Sequence, residues 1–222
     1  MTAILVVLTI LAAVTVDIVL TKLRHRQAAA GQELPIAAMV QPRPPQGIFL
    51  DTAHSWVRIT TDGALRVGID DFLAEALGEP EAVEAPPRGT QVKRGDPLLR
   101  LRVKGHTVVV PAPAAGEVIA LNERVTATPW MVSRDPYGVG WIVALWTRDH
   151  HEAIRPLRIG SAAGAFLRHE LQRFADFLTP AGTPATVPLL ADGGVPRKGV
   201  LATLDEGRLA AFQRDFLGGE EA

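Results

Sequence analysis

The sequence predicts a mainly β fold: a small barrel or sandwich with short helices, preceded by one transmembrane helix and followed by a helical extension. Three patterns support this prediction. An apolar run opens the chain, short segments of alternating hydrophobicity fill its middle between glycines and prolines, and two amphipathic helical patterns lie near its end. We therefore divide the 222 residues into an anchor, a linker, a β domain and a C-terminal extension, at residues 1–24, 25–47, 48–151 and 152–222.

The predicted anchor contains residues 3–20, whose only charged side chain is Asp17. As a helix this run would measure about 27 Å, close to the thickness of a hydrocarbon core. No side-chain charge precedes it, whereas Lys22, Arg24 and Arg26 follow it, which favours an uncleaved anchor over a signal peptide. The positive-inside rule then predicts a single-pass protein of the cytoplasmic (inner) membrane, with its N-terminus outside and its C-terminal domain in the cytoplasm.

Asp17 leaves two interpretations open. It lies about one turn from the basic end of the span, so it can reach the interface near Lys22, or it can pair with a neighbouring transmembrane helix. The linker that follows, residues 25–47, is rich in alanine and proline and shows no periodicity. Because proline favours extended backbone, we expect this stretch to hold the next domain off the bilayer or to run along a partner.

The β domain is predicted from short alternating segments. Residues 56–59 and 65–69 alternate on either side of a turn. Residues 70–78 have the pattern of a short helix that Asp70 caps and Gly78 ends. Further strands are predicted near residues 82–84, 98–103, 107–110, 116–121 and 140–146. Several short strands at close spacing, separated by glycines and prolines, indicate a small sandwich or barrel.

The C-terminal extension contains two predicted amphipathic helices. Residues 161–178 form the first, with Ser161 as its N-cap. Residues 179–198 contain four prolines and are predicted to be a loop. The last helix opens with a capping box at residues 203–206 and stops at Gly218. The apolar face of the first helix consists of Leu167, Leu171, Phe174 and Leu178, and Glu170 is one of the polar residues around it. The apolar face of the last helix consists of Leu209, Phe212 and Phe216.

Two short helices cannot fully bury these faces against each other. We expect the faces either to pack onto the β domain or to dock a partner subunit or a second copy of the chain. The residues that we predict to contact a partner or the membrane are Asp17, Lys22, Arg24, Arg26, Leu171, Phe174, Phe212 and Phe216.

Composition and motifs exclude several classes of function. The net charge is −1 and aromatic residues make up 5% of the chain, so we expect no binding of nucleic acid. The absence of cysteine excludes disulfides, thiolate metal sites and cysteine nucleophiles. The consecutive residues 150–152 (His-His-Glu) do not share one helix face, and the Gly-x-Gly at residues 138–140 lacks the surroundings of a nucleotide site. We therefore expect no metal and no catalytic residues, and predict that the protein is not an enzyme.

Seven short segments of the β domain match one known family in their order and spacing. They are His54-Ser55-Trp56-Val57, Val67-Gly68-Ile69-Asp70, Glu75-Ala76-Leu77-Gly78, Gly89-Thr90-Gln91-Val92, Ala112–Val118, Asn122-Glu123 and Asp135–Trp141. Together they resemble the H protein of the glycine cleavage system, a relative of lipoyl and biotinyl carrier domains. The resemblance implies a lipoyl-type barrel-sandwich hybrid. It also implies a hairpin lysine that carries lipoic acid and shuttles an intermediate and reducing equivalents among the other enzymes of the system.

This chain has no lysine at the position that matches the family's lipoyl lysine. In the family it lies eight residues before the hairpin proline, which here is Pro113, so the matching position is Gly105. Lys104 is one residue out of register, and Arg102 stands where the family has an acidic residue. A one-residue slip along a strand turns a side chain to the other face, and Lys104-Gly105 is typical of an unmodified tight turn. We predict that the lipoyl lysine is lost and that no cofactor is bound; the alternative is lipoate on Lys104.

These observations lead to three hypotheses about function. The first is a non-catalytic structural subunit, anchored in the membrane by its N-terminal span, whose cytoplasmic domain assembles or stabilises a larger complex with other membrane subunits. A respiratory or photosynthetic energy-transducing complex is a candidate. The second is a membrane-attached lipoyl carrier of a glycine-cleavage-like system that uses Lys104. The third is an anchored sensor that binds a small ligand.

Overall fold

A computed structural model of the protein describes residues 44–179 and 196–218. The predicted transmembrane run, nearly all of the predicted linker and most of the proline-rich loop lie outside these residues. Within the described ranges no helix is both long enough and apolar enough to cross a bilayer.

The described residues form a mainly β fold with short helices, as the sequence predicts. The strands are β1 (Phe49–Leu50), β2 (Ser55–Ile59), β3 (Leu65–Ile69), β4 (Ala82–Glu84), β5 (Gln91–Val92), β6 (Pro97–Val103), β7 (His106–Pro111), β8 (Gly116–Leu121), β9 (Val143–Trp146) and β10 (Arg158–Ile159). The helices are α1 (Asp71–Leu77), α2 (Glu123–Ala127), α3 (Met131–Arg134), α4 (His150–Ile154), α5 (Gly160–Leu178) and α6 (Glu206–Leu217), with a 3₁₀ turn at Val200–Thr203.

The strands form two antiparallel sheets. One has the order β10-β1-β2-β3-β9-β8-β5, and the other has the order β4-β6-β7. Alternation places Leu99, Leu101 and Val103 of β6 in the interior, whereas Arg100 and Arg102 point to solvent. Side chains from both sheets belong to one continuous buried cluster. The small sheet therefore shares its core with the large one, and its outer face remains open.

Helix α1 connects the β domain to the C-terminal extension. The Asp70 side chain caps α1 by accepting the Leu73 N–H at 2.9 Å, as the sequence predicts. The helix ends at Gly78, whose φ of +75° favours glycine. A Cβ atom at Gly78 would lie only 2.7 Å from the Cα atom of Gly199. Glycine is thus required both by the backbone and by the close approach of the extension.

The two long helices of the extension pack onto the β domain through a cluster of phenylalanines. Its members are Phe72 of α1, Phe174 and Phe177 of α5, and Phe212 and Phe216 of α6. The ring centroids of Phe72 and Phe174 are 5.3 Å apart, and those of Phe212 and Phe216 are 5.0 Å apart. Phe174, Phe212 and Phe216 are buried within the chain and Leu171 is half-buried. The apolar faces therefore pack in cis, which leaves none of these three phenylalanines exposed to a partner.

The caps of both extension helices differ from the prediction. Helix α5 begins at Gly160 directly after strand β10, with the extended residue Ile159 at the N-cap, so Ser161 lies inside the helix and does not cap it. Thr203 belongs to the 3₁₀ turn, where its hydroxyl donates to the Val200 carbonyl at 2.7 Å. Asp205 instead caps α6 by accepting the Arg208 N–H at 2.8 Å.

The phenylalanine cluster predicts a large effect of truncation at its centre. Phe212→Ala should lower the free energy of unfolding by about 3–5 kcal/mol, because the ring is fully buried and a cavity would remain. Urea unfolding of the full chain in a neutral detergent measures the loss. Ile159→Ala is the matched control, since Ile159 is 47% exposed and should cost less than about 1 kcal/mol. Equal losses in the two variants would contradict this packing.

Candidate functional site

The first candidate site is the tip of the hairpin formed by β6 and β7. Val103 and His106 are the last paired residues, so Lys104 and Gly105 alone form the loop. Their φ angles are +45° and +83°, and positive φ at both central positions is the signature of a type I′ turn. Glycine has no steric penalty at the second position, whereas a residue with a Cβ atom would be strained there.

Lys104 is exposed at the first position of this turn. Its backbone N–H donates to the Glu81 carboxylate at 3.3 Å, which ties the tip to the segment just before β4. Arg102 is also exposed, on the outer face of β6 between Ala82 of β4 and Thr107 of β7. The tip thus carries two accessible basic side chains, and Gly105 occupies the position at which the resemblance places a lysine.

The second candidate site is a buried polar cluster around His54. His54 is fully buried, and its Nδ1 lies 2.8 Å from Oδ2 of Asp70. Its Nε2 lies 3.5 Å from Oε2 of Glu170, a residue of α5. The ring of His54 stacks on Phe72 with centroids 4.1 Å apart. Arg173 completes the cluster, because its Nη1 donates to both carboxylate oxygens of Glu170 at 2.6 and 2.7 Å.

The charges in this cluster balance when His54 is protonated. Burial alone would lower the pKa of His54, but the Asp70 and Glu170 carboxylates outweigh it and raise that pKa to about 9. Burial would likewise raise the pKa of Glu170, yet hydrogen bonds and charge from His54 and Arg173 lower it. An imidazolium and a guanidinium therefore neutralise two carboxylates. The fully buried His54 thus links the β domain to α5.

Sequence reasoning missed this cluster for an identifiable reason. Its charge assigns Glu170 to the polar residues around the apolar face of the helix, but the structure buries it. It lies three residues after Leu167 and four before Phe174, so helical periodicity assigns it to the buried face. The position of the charged residue Glu170 on the apolar face of its helix could have indicated that it pairs with a buried residue of opposite charge.

The Asp135–Trp141 segment has a structural role. The Tyr137 hydroxyl donates to Asp71 at 2.7 Å, and the Trp56 indole N–H donates to the Pro136 carbonyl at 3.1 Å. Burial raises the pKa of both Tyr137 and Asp71, so the hydroxyl remains a donor at ordinary pH. These bonds hold the segment against α1 and β2.

Four of the residues predicted to contact a partner or the membrane lie outside the part of the chain that the structure describes. They are Asp17, Lys22, Arg24 and Arg26. Among the residues that the structure covers, no group of three or more His, Cys, Asp or Glu side chains could hold a metal ion.

The raised pKa of His54 predicts that stability falls at alkaline pH. Its pKa is about 9 in the folded protein and about 6.5 when unfolded, so its contribution is complete below pH 6.5 and is lost as pH rises through 9. The loss amounts to about 3 kcal/mol at 1.4 kcal/mol per unit of pKa. Urea unfolding at pH 6 to 10 should show this decline in the wild type and in His151→Gln, whose side chain is exposed. His54→Gln should remove it, and a decline that persists in His54→Gln would contradict the assignment.

Comparison with known proteins identifies the family. The model of the family described as glycine cleavage H-protein matches residues 49–170. A probable glycine cleavage system H protein of Pyrococcus abyssi is 32% identical over 123 residues, which are 55% of this chain and 91% of that protein. The glycine cleavage system H protein of Mycolicibacterium vanbaalenii is 37% identical over 103 residues, or 46% of this chain and 79% of that protein.

A crystal structure of a glycine cleavage system H protein from Mycobacterium marinum is also similar, with a TM-score of 0.48 and 28% identity over 55% of this chain and 96% of that one. The family match covers more than half of the 222 residues, from β1 into helix α5. This chain therefore belongs to the glycine cleavage H-protein family.

Proposed function

We propose that this chain is a non-catalytic member of its family that has no lipoyl arm and acts as a structural subunit of a larger membrane-bound assembly. One observation carries the proposal: the turn position that matches the family's lysine is Gly105, in a backbone conformation with φ of +83° that favours glycine. A domain without the arm retains the fold and its surfaces but not the carrier chemistry.

The geometry of the turn supports the loss of the arm. Lys104 precedes the matching position by one residue, which displaces its Cα atom by about 3.8 Å. Its backbone is held by the bond to Glu81. Arg102, in place of the family's acidic residue, adds a positive charge on the outer face of the same hairpin. An enzyme that recognises a lysine by its place in the turn would therefore meet a displaced amine in altered electrostatic surroundings.

The C-terminal extension supports a structural role. Helix α6 lies beyond the family match and covers the free edge of strand β7, where the Val109 N–H donates to the Gln213 side chain at 2.9 Å. Part of this sheet edge is thereby covered within the chain. A shuttle that visits several enzymes has no need of this added layer, whereas a stably assembled subunit gains rigidity from it.

The membrane part of the proposal is supported by the sequence. The apolar run at residues 3–20, followed by Lys22, Arg24 and Arg26, has the length and charge pattern of a span with its basic end in the cytoplasm. Asp17 within this run is costly in lipid, and pairing with a helix of another subunit would reduce that cost. The proposed partners are therefore integral membrane subunits.

The second candidate function is a membrane-attached lipoyl carrier that uses Lys104. The observation that favours it is the exposure of Lys104 at the tip of a two-residue loop. An amine at that place is accessible to a modifying enzyme.

Intact-mass measurement distinguishes the two functions. The full chain, purified from cells that lipoylate their own carrier proteins, should have the mass of the unmodified polypeptide. Lys104→Arg should leave the protein fold and its assembly unchanged, with a stability change within about 0.5 kcal/mol. The matched control is Lys93→Arg, another exposed lysine near a turn. A lipoyl adduct that disappears in Lys104→Arg and persists in Lys93→Arg would overturn the proposal in favour of the carrier.

The proposed topology is tested with reporters fused after Ala222. A fluorescent protein that folds in the cytoplasm should be active, and alkaline phosphatase, which needs the periplasm, should be inactive, because the basic residues after the span are retained inside. Replacing Lys22, Arg24 and Arg26 with glutamine should reduce this asymmetry. A chain that is extracted from membranes by high salt or carbonate would contradict the anchor.

A further inference from the structure

Two arginines lie directly opposite each other on the outer face of the seven-stranded sheet. Arg58 of β2 and Arg66 of β3 are Cα partners in the antiparallel register. Side chains at such positions have Cβ atoms about 5 Å apart, and like charges placed there repel. The pair is therefore unfavourable unless another group supplies negative charge.

No described carboxylate pairs directly with either arginine. In the part of the chain that the structure covers, no carboxylate lies within 4.0 Å of either guanidinium and neither forms a hydrogen bond. Asp62 is near Arg66, but the pKa of its carboxyl is lowered chiefly by a hydrogen bond from the Thr60 hydroxyl and least by the charge of Arg66. The hydrogen-bond donors of both arginines are thus available to an external anion.

Tryptophan rings hold both guanidinium groups in place. The Cζ atom of Arg58 lies 5.7 Å from the centroid of Trp56, and that of Arg66 lies 4.9 Å from the centroid of Trp141. Stacking uses the flat face of a guanidinium and leaves the N–H groups at its edge free. Each guanidinium therefore has a tryptophan contact that does not use its hydrogen-bond donors.

A cavity lies close to Arg66. The neighbour of Arg66 on β9 is the small, buried residue Ala144. Trp141, which carries Arg66, also forms one wall of a cavity of about 350 Å³. The other residues of its lining are Leu121, Asn122, Glu123, Arg124 and Val139. The two arginines are not among its lining residues, and Trp141 is the side chain that connects the cavity to Arg66.

We propose that Arg58 and Arg66 together bind one phosphate group, with the cavity beside Trp141 accommodating the rest of the molecule that carries it. Guanidinium groups match the geometry of phosphate and form paired, charge-assisted hydrogen bonds with it. A single phosphate would also remove the repulsion between the two side chains. The phosphate can come from a lipid headgroup or from a soluble phosphate ester. The site requires neither a lipoyl arm nor a membrane anchor.

Equilibrium dialysis of the full chain in neutral detergent against radiolabelled inorganic phosphate tests the proposal. At constant ionic strength the wild type should bind one phosphate per chain at saturation. Arg58→Gln and Arg66→Gln should each weaken binding at least about tenfold, because a hydrogen bond to a charged group is lost. Arg100→Gln, an exposed strand arginine of the other sheet, makes the same change in charge and should bind like the wild type. Thermal unfolding verifies that all variants are folded.

Competition with the labelled phosphate identifies the source. Displacement by dihexanoyl phosphatidylglycerol at lower concentration than by glycerol 3-phosphate, with dihexanoyl phosphatidylcholine ineffective, supports a lipid headgroup. The reverse order of the first two supports a soluble ester. Absence of saturable binding at millimolar phosphate, or equal losses in Arg100→Gln and the two site variants, would overturn the proposal. The assay does not depend on the anchor or on Lys104. A negative result would therefore overturn the phosphate site without bearing on the proposed function.

Discussion

The structure depends on the buried pairing of His54 with carboxylates from two separate parts of the chain. Asp70 belongs to the β domain and also caps helix α1, whereas Glu170 lies on α5, more than a hundred residues after His54. Removing one partner from a buried ion pair leaves an uncompensated charge, which costs about 3–5 kcal/mol. Neither carboxylate can therefore move away independently, and α5 is fixed in position as well as in packing. His54 even adopts a φ of +60°, a conformation that is rare outside glycine.

The phenylalanine cluster adds packing to this electrostatic link. Phe72 contacts both systems, because it stacks on His54 and also meets Phe174 of α5 and Phe216 of α6. Apolar burial supplies most of the attachment energy but is tolerant of small shifts, whereas the ion pairs specify one geometry. Together they hold the extension as a second layer on the β domain. Helix α6 is part of this layer and lies entirely beyond the family match.

The sequence predicted the longer elements because their patterns are local. Alternation and turn residues located β2, β3, β6 and β7, and helical spacing located α5 to within one residue. The two-residue strands β1, β5 and β10 are too short to show a period, and they exist only because the sheet provides partners. The buried cluster could not be predicted, because pairing of His54 with Glu170 is a tertiary contact. The juxtaposition of Arg58 and Arg66 could not be predicted either, because it depends on the pairing register of β2 and β3.

The two faces of the molecule follow opposite electrostatic rules. Around His54, where solvent is excluded, every charge has an opposite partner, because an isolated charge in that environment is very unfavourable. On the outer sheet face, Arg58 and Arg66 form no ion pair with any residue that the structure describes, and dissolved salt screens their repulsion only in part. What distinguishes Arg58 and Arg66 from the exposed arginines elsewhere in the described residues is that the strand register places their two positive charges directly opposite each other.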